Sequence, residues 1–219
     1  MNFCVKEKSP IIKREKLLKI GFPSFCDENV KLGYIPERRL ELLDLVIGVR
    51  ARIRSGTIIY AGTKIGNNFE AGHNVLIREE NEIGDNVSVW SNTVIDYGCS
   101  IGNRVKIHCN VYIPQLTIIE DNVFIAPGCS FANDLHPGCK YSRDCMRGPV
   151  IKRGARIGVN VTILPKIIVG ESSLVGAGSV ITKNVPPYSV VFGNPARSFK
   201  KAREIKCKRN LLGHFPYRE

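Results

Sequence analysis

One short stretch of the chain gathers polar side chains that could move a proton. It runs from Ile125 to Pro137 and includes Asn133, Asp134 and His136 near its end. A histidine with an unperturbed pKa of about 6.5 can take a proton from an attacking group at neutral pH. An asparagine can accept a hydrogen bond from an amine, which is already nucleophilic. Alternatively, Asn133 and Asp134 only close an Asx turn, and His136 lies in solvent.

A second stretch, nearer the end of the chain, combines small residues with cations. It reads Val-Gly-Ala-Gly-Ser-Val-Ile-Thr-Lys from Val175 to Lys183, and Gly-Asn-Pro-Ala-Arg ends at Arg197. The Gly-Ala-Gly segment makes a tight corner that a ligand could approach closely. Lysine and arginine suit phosphate groups, the first as a point charge and the second as a planar fork.

A six-residue repeat defines the elements that must position both stretches. Every sixth residue from Ile47 to Phe131 is apolar, and the series resumes two residues out of register at Ile151 and runs to Ile181. Nineteen of these twenty-one positions are Ile or Val. The residue two places before each of them is usually small or β-branched, so both point to one side of a short strand. Because Gly and Asn supply the turns between them, the pattern predicts an all-β solenoid.

These motifs together resemble the hexapeptide-repeat acyltransferases, whose repeats form a left-handed parallel β-helix with three hexads to a coil. The resemblance implies that handedness, a homotrimer with active sites at subunit interfaces, and acetyl-coenzyme A as the acyl donor.

The repeat also divides the chain into segments. Residues 1–46 show no hexad pattern and are predicted to be an N-terminal cap segment. The β-helix acyltransferase domain covers 47–186, with an excursion loop at about 137–150, and a tail covers 187–219. In the tail, Asn194-Pro195 is a typical helix start, which predicts a basic C-terminal α-helix to about Arg209.

The resemblance assigns roles to individual residues. Galactoside- and maltose-type O-acetyltransferases have an Ile-x-Pro segment that ends in His-Pro, and its histidine is their general base, which implies His136 here. Nucleotide-amino-sugar N-acetyltransferases have a Phe-Thr-Asn-Asp segment whose Asn lies beside the acetylated amine. The corresponding residues here are Asn133 and Asp134, with Ala132 in place of the threonine. Asn133 and His136 are therefore the catalytic candidates, and Asp134 is a candidate substrate contact.

The second stretch resembles the coenzyme A-binding end of the same galactoside-type enzymes. The resemblance implies cofactor contacts by Ala177, Thr182 and Lys183, with Arg197 meeting the phosphates. Val159 lies one coil of eighteen residues before Ala177 and could flank the pantetheine.

Residues eighteen apart should lie above one another, with neighbouring strands about 4.8 Å apart. This rule places Gly72, Trp90, His108 and Ala126 in one column at a corner of the solenoid. Trp90 could stack on a base or a sugar ring, or it could equally form a trimer contact. His108 could reach the acceptor.

The segment that contains His73 and Glu79 also resembles the nucleotide-sugar enzymes. The resemblance makes both residues further candidates for substrate contact.

The composition indicates which binding partners and which cellular location to expect. The net charge is +12, but the basic C-terminal segment lacks regularly spaced aromatics, so we expect phosphate contacts or a solvated face rather than nucleic acid. An apolar run of eighteen residues and a signal-peptide pattern are both missing from the sequence, which predicts a cytoplasmic protein without membrane insertion. Cys139 and Cys145 could form a disulfide or join His136 at a metal, but a fourth ligand is not evident. We expect two free thiols and no metal.

The function predicted is acetyl-CoA-dependent acetylation of the amine of a nucleotide-linked amino sugar, in glycan or surface polysaccharide biosynthesis. One alternative is O-acetylation of a sugar hydroxyl, where a base matters more because a hydroxyl must lose its proton during attack. A non-catalytic β-helix scaffold is another, although it would not need Lys183 or Arg197. The γ-type carbonic anhydrases share the left-handed helix, but their zinc-binding histidine spacing does not occur here.

Overall fold

The computed structural model describes residues 18–40 and 43–206 as a solenoid of very short strands. In chain order the strands are β1 (Leu18–Ile20), β2 (Phe25–Cys26), β3 (Lys31–Tyr34), β4 (Leu45–Ile47), β5 (Arg52–Ile53), β6 (Ile58–Tyr60), β7 (Lys64–Ile65), β8 (Glu70–Ala71), β9 (Leu76–Ile77), β10 (Glu82–Ile83), β11 (Ser88–Val89), β12 (Val94–Ile95), β13 (Ser100–Ile101), β14 (Lys106–Ile107), β15 (Tyr112–Ile113), β16 (Ile118–Ile119), β17 (Phe124–Ile125), β18 (Ser130–Phe131), β19 (Val150–Ile151), β20 (Arg156–Ile157), β21 (Thr162–Ile163), β22 (Ile168–Val169), β23 (Leu174–Val175), β24 (Val180–Ile181), β25 (Ser189–Gly193) and β26 (Ala196–Lys201). A single-turn helix α1 (Ser142–Cys145) lies between β18 and β19, and a 3₁₀ turn at Ala202–Glu204 follows β26.

From β1 to β24 every third strand joins the same sheet, so the solenoid has three sheets, which are parallel except where β26 pairs with β25. Sheet 1 has eight strands from β1 to β22, sheet 2 has ten from β2 to β26, and sheet 3 has eight from β3 to β24. Within the uninterrupted repeat, paired residues are eighteen apart, as in the register of Ile83 with Ile101. This arrangement confirms the predicted all-β parallel β-helix with three hexads to a coil.

The repeat positions form the core. All twenty-one are at most 5 % exposed, including the two that are not Ile or Val, Ala71 and Phe131. The corners use the predicted turn chemistry, because asparagines adopt positive φ there at Asn29, Asn68, Asn74, Asn86, Asn92, Asn110, Asn122 and Asn160. Burial of the aliphatic side chains drives the coils together, and the strand hydrogen bonds fix their register.

The solenoid begins earlier than the repeat count predicts. Strands β1, β2 and β3 pair in parallel with β4, β5 and β6, so residues 18–34 form a coil inside the segment expected to be a cap. The six-residue spacing of Ile20, Cys26 and Leu32 encodes this coil. A ten-residue gap before β4 breaks the period and hides it. Residues 1–17 of the expected cap lie outside the described part of the chain.

The C-terminal α-helix is a wrong prediction for the residues that the structure describes. Strand β25 continues sheet 2, the chain reverses at Asn194-Pro195, and β26 pairs with β25 antiparallel. Phe192 and Phe199 pack edge to face across the pair, with ring centroids 5.3 Å apart. The hairpin wins because pairing satisfies the exposed edge of β25, whereas an isolated basic helix would have little to pack on. The helix end expected at Arg209 lies outside the described residues.

The insertion that displaces the repeat is the predicted excursion. It leaves the solenoid after β18 and returns at β19, which still pairs with β16 in register. Coil stacking is therefore preserved across the insertion, and the loop projects from the corner between sheets 3 and 1. Within residues 18–40 and 43–206, no helix has the length and apolarity needed to cross a bilayer.

Candidate active site

The corner that follows sheet 3, here called the 3–1 corner, contains Asn133. One column of this corner consists of Glu79, Tyr97, Gln115 and Asn133, each eighteen residues after the last. The side-chain Nδ2 of Asn133 donates a hydrogen bond to Oε1 of Gln115, and the backbone carbonyl of Asn133 accepts one from the amide of Arg147 at 2.8 Å. These bonds hold both the side-chain amide and the backbone of Asn133 at the corner. Sequence reasoning missed Gln115, although the eighteen-residue rule identifies it.

Asp134 organises the start of the excursion. Its carboxylate accepts hydrogen bonds from the Ser142 hydroxyl and from the backbone N–H of His136, the second at 2.9 Å. The Ser142 hydroxyl, helped by the amide of His136, holds the pKa of Asp134 below its usual value. Both oxygens are thus used within the loop, as in the Asx-turn alternative, and Asp134 ties α1 to the segment that carries His136.

His136 is exposed, and its backbone is held at both ends of the turn. Its N–H bonds to Asp134, and its carbonyl accepts a hydrogen bond from Cys139 N at 3.0 Å. In sequence, His136 follows Asn133, the end of the corner column, by three residues. Cys139 and Cys145 are free thiols. Among the described residues, no group of three or more His, Cys, Asp or Glu side chains could hold a metal ion.

Three of the residues predicted to contact the cofactor lie around one cavity. Thr182, Lys183 and Arg197 line a space of about 290 Å³ at the end of the solenoid. Lys183 continues the Asn133 column two coils further on, so their backbones are about 10 Å apart along the corner. Arg197 reaches this cavity from strand β26 rather than from the predicted helix.

The other two predicted cofactor residues lie on the opposite edge of sheet 3. Val159 and Ala177 sit at the corner between sheets 2 and 3, here called the 2–3 corner, and both are exposed. The amide of Gly178 donates to the Val159 carbonyl at 2.8 Å. A Cβ on Gly158 would lie 2.7 Å from Ala177 N, so glycine is what lets these coils approach. Within one chain, the predicted cofactor residues therefore form two separate groups.

The predicted column of Gly72, Trp90, His108 and Ala126 is confirmed at the 2–3 corner by the strand register. The Trp90 indole stacks on the His108 imidazole with centroids 5.0 Å apart and planes 11° apart. The His108 ring also packs on the Phe124 ring, with centroids 4.9 Å apart, so that three rings lie in a row along the outside of the solenoid.

His73 lies one residue further along the same corner and is exposed. Its Nδ1 is 2.9 Å from the Ser55 hydroxyl oxygen. The His73 backbone amide donates to the Ser91 hydroxyl oxygen at 3.0 Å.

Glu79 is fully buried, which the sequence did not suggest. Its carboxylate accepts hydrogen bonds from the Arg78 guanidinium at 2.9 and 3.1 Å and from Arg38, which comes from the loop between β3 and β4. Burial raises the pKa of Glu79, but the hydrogen bonds from Arg78 and Arg38 outweigh it, so the pKa lies below its ordinary value. A carboxylate enclosed in this way anchors a loop and does not face a substrate.

Comparison with known proteins finds a family model that matches part of the chain. The family model described as bacterial transferase hexapeptide (six repeats) matches residues 82–115 and 148–183. Over these residues the chain is similar to that family, which agrees with the three-sheet parallel helix.

Its relatives include two acetyltransferases and the bifunctional protein GlmU. The chain is 50 % identical over 48 residues to the dTDP-3-amino-3,6-dideoxy-alpha-D-galactopyranose 3-N-acetyltransferase of Aneurinibacillus thermoaerophilus, covering 22 % of this chain and 25 % of the relative. It is 28 % identical over 171 residues to the bifunctional protein GlmU of Thermotoga petrophila, covering 76 % and 30 %. A solved galactoside acetyltransferase in complex with coenzyme A has 28 % identity and a TM-score of 0.47, with 65 % of this chain and 68 % of that one covered. The matches thus span less than a third of the length of the two curated relatives.

Proposed function

We propose that the protein transfers an acetyl group from acetyl-coenzyme A to the amine of a nucleotide-linked amino sugar. The observation that supports this function best is the Asn133 amide, which Gln115 orients with its oxygen left for an amine hydrogen. A relative that is named as an N-acetyltransferase of a dTDP-linked amino sugar is 50 % identical over 48 residues, which supports the same chemistry.

In the proposed reaction, the amine nitrogen attacks the thioester carbonyl of acetyl-CoA. A C–N bond forms, the C–S bond breaks, and coenzyme A leaves as the thiol. The Asn133 oxygen accepts a hydrogen bond from the amine and directs its lone pair to the carbonyl, which lowers the entropic cost of the encounter. His136 accepts the proton that the amine loses and passes it to the departing thiolate, so that coenzyme A leaves as the thiol, and Asp134 fastens the loop that carries His136.

Acetyl-CoA is proposed to contact the 3–1 corner of one subunit and the 2–3 corner of another. The cavity lined by Thr182, Lys183 and Arg197 suits the phosphates, because it offers two cations and a hydroxyl. Val159 and Ala177 would flank the pantetheine at the 2–3 corner. Because a single chain keeps these groups apart, we propose a homotrimer in which the 3–1 corner of one subunit faces the 2–3 corner of its neighbour.

O-acetylation of a sugar hydroxyl is the second candidate, and one observation favours it. The His136 imidazole is exposed beside the corner and so can act as a base, which a hydroxyl needs more than an amine does.

The decisive experiment compares amino-sugar nucleotides with sugars that carry only hydroxyl groups, using thiol release from acetyl-CoA as the readout. Release with the amines alone supports the first proposal. Release with the hydroxyl sugars alone overturns it in favour of the second.

Two variants test the residue roles within this reaction. His136→Ala should lower kcat by about 10²–10⁴-fold if His136 is the base, and a fall of less than tenfold removes it from that role. Gln115→Ala should lower kcat by about fivefold through loss of one orienting hydrogen bond. Lys64→Ala, which removes an exposed cation on sheet 1, is the matched control and should leave kcat unchanged.

A further inference from the structure

The row of rings at the 2–3 corner stops at a glycine. The column continues from Trp90 to Gly72 and then to Arg54, each eighteen residues earlier, and β5, β8 and β11 carry them in register. One indole face of Trp90 is covered by His108. The other face looks onto Gly72, which has no side chain to cover it.

A cavity of about 180 Å³ lies beside Gly72 and Trp90. Its lining includes Arg52, Arg54, Glu70, Ser88 and Trp90. Sites that enclose a drug-sized ligand usually measure about 300–1,000 Å³. The cavity is therefore too small for a whole sugar nucleotide, but it suits a single flat ring.

The spacing of the coils fits such a ring. Adjacent coils lie about 4.8 Å apart, so Arg54 and Trp90 are separated by about 10 Å along the column. A ring at the level of Gly72 would lie about 5 Å from each of them. That distance is within the range for stacked rings, and it is within about 6 Å, the limit for a cation above a ring face. The 5.0 Å between Trp90 and His108 shows that one coil step in this column gives a stacked pair.

Gly72 keeps the space open for a steric reason. A Cβ at this position would lie 2.6 Å from the Ser91 backbone nitrogen and 3.1 Å from the Trp90 carbonyl carbon. Backbone atoms cannot give way as a flexible side chain can. Glycine therefore lets the two coils approach here, and the Gly72 level of the column has no side chain to cover the indole.

The rim of the cavity has the groups that a pyrimidine edge needs. Glu70 accepts a hydrogen bond from the Ser88 hydroxyl at 3.4 Å, and Arg52 stands opposite Glu70 in the strand pairing. An imide edge, as in uracil or thymine, presents one N–H between two carbonyls. A carboxylate can accept from the N–H, while guanidinium groups can donate to the carbonyls.

We propose that this slot, between Trp90 and Arg54 at the level of Gly72, binds the pyrimidine base of the nucleotide sugar. The choice of a nucleotide sugar as the ligand rests on the proposed function. The slot lies at the same corner as Val159 and Ala177 but several coils nearer the N-terminus, so the base would bind away from the pantetheine.

Intrinsic fluorescence tests the slot directly, because Trp90 is the one tryptophan in the sequence. Uridine diphosphate and thymidine diphosphate, titrated without acetyl-CoA, should quench the emission with saturation. Coenzyme A, which carries an adenine, should not quench it or compete with them. No saturable quenching by either pyrimidine nucleotide, or equal quenching by coenzyme A, overturns the proposal.

Two variants locate the binding. Trp90→Leu should weaken uridine diphosphate binding by about 5- to 150-fold in calorimetry, as expected for the loss of one stacked base. Arg54→Ala should weaken it by about 2- to 30-fold. Arg153→Ala is the matched control, because Arg54 and Arg153 are both surface arginines with one loose ion pair, and it should leave the affinity unchanged.

Failure of the slot and failure of the proposed function can be told apart. Binding measured without acetyl-CoA supports the slot even if no acetyl transfer occurs. Unchanged nucleotide affinity in Trp90→Leu, combined with a changed oligomeric state on gel filtration, makes Trp90 a subunit contact and overturns the slot. The proposed function would still stand in that case if Trp90→Leu acetylated amino-sugar nucleotides with an unchanged KM for the nucleotide.

Discussion

Replacing Glu79 with glutamine tests how the loop before β4 is fastened to the solenoid. The buried carboxylate joins Arg78, its neighbour in sequence, to Arg38 from that loop. Both guanidinium groups also lie over the Tyr97 ring, at 4.3 Å for Arg38 and 5.7 Å for Arg78. The substitution keeps the volume of the side chain and removes its charge.

The cost follows from which partners are left buried. Removing one member of a buried ion pair costs about 3–5 kcal/mol when the other stays uncompensated. Here the side chains of Arg38 and Arg78 are 37 % and 32 % exposed, and Glu80 and Asp96 remain as partners. We therefore expect Glu79→Gln to lose only the charge-assisted hydrogen bonds, about 2 kcal/mol. The melting temperature should fall by about 4–8 °C.

Removing the arginine partners of Glu79 should lower the free energy of unfolding more than removing the charge of Glu79 itself. A double variant, Arg38→Met with Arg78→Met, leaves the Glu79 carboxylate buried without either cation. We expect it to lower the free energy of unfolding by about 3–5 kcal/mol. This asymmetry distinguishes an enclosed carboxylate from an ordinary surface network.

The contribution of the Glu79 carboxylate to the stability of the fold should also depend on pH. Because its folded-state pKa is lowered, the carboxylate stabilises the fold above its unfolded pKa of about 4.3, and the contribution is lost as the pH falls through the folded pKa. The difference in melting temperature between the native protein and Glu79→Gln should be constant from pH 7 to about pH 5 and should shrink at lower pH.

Thermal melts followed by circular dichroism measure both quantities. Glu82→Gln is the matched control, because Glu82 is 70 % exposed and pairs with Lys64 at 3.5 Å, and it should change the melting temperature by about 1 °C or less. A Glu79→Gln variant that melts with the native protein at pH 7, or one whose deficit is the same at pH 4, would refute the account.

Three further predictions concern the core, the cofactor cavity and the excursion. Ile107→Ala should lower the free energy of unfolding by about 2–5 kcal/mol in urea titrations, because its side chain is fully buried, while the exposed neighbour Lys106→Ala should stay within about 0.5 kcal/mol. Lys183→Ala should raise the KM for acetyl-CoA several-fold at nearly constant kcat, since a phosphate contact is the same in the ground and transition states, and a fall in kcat alone would contradict this role. Asp134→Ala and Ser142→Ala both remove the hydrogen bond between these side chains and should each lower kcat by at least about fivefold in thiol-release assays, so an unchanged kcat in either would argue against a shared role.

The solenoid could be predicted because its code is local and repeated. Each hexad contains its own buried residue, its own turn and its own strand, so twenty-one positions report the same structure independently. The coil at Ile20, Cys26 and Leu32 was missed because three positions are too few to stand out once the ten residues before β4 break the period.

The candidate site was only partly predictable. The eighteen-residue rule placed Trp90 above His108, and the same rule would have found Gln115 below Asn133. It could not find Arg38, whose contact with Glu79 joins residues forty-one apart across a loop without a period. A charged residue in a repeat looks the same in the sequence whether it faces water or another chain segment.

The sequence by itself determined that the chain forms a β-solenoid with an aliphatic core, because a fixed period of six leaves the aliphatic side chains one common interior to fill. The tertiary structure alone decided the chain ends, the burial of Glu79 and the gap beside Trp90. Asn194-Pro195 suits a helix start and a hairpin turn equally well, and the exposed edge of β25 made the choice. Such features depend on which surface happens to be adjacent, and adjacency exists only after the coils have stacked.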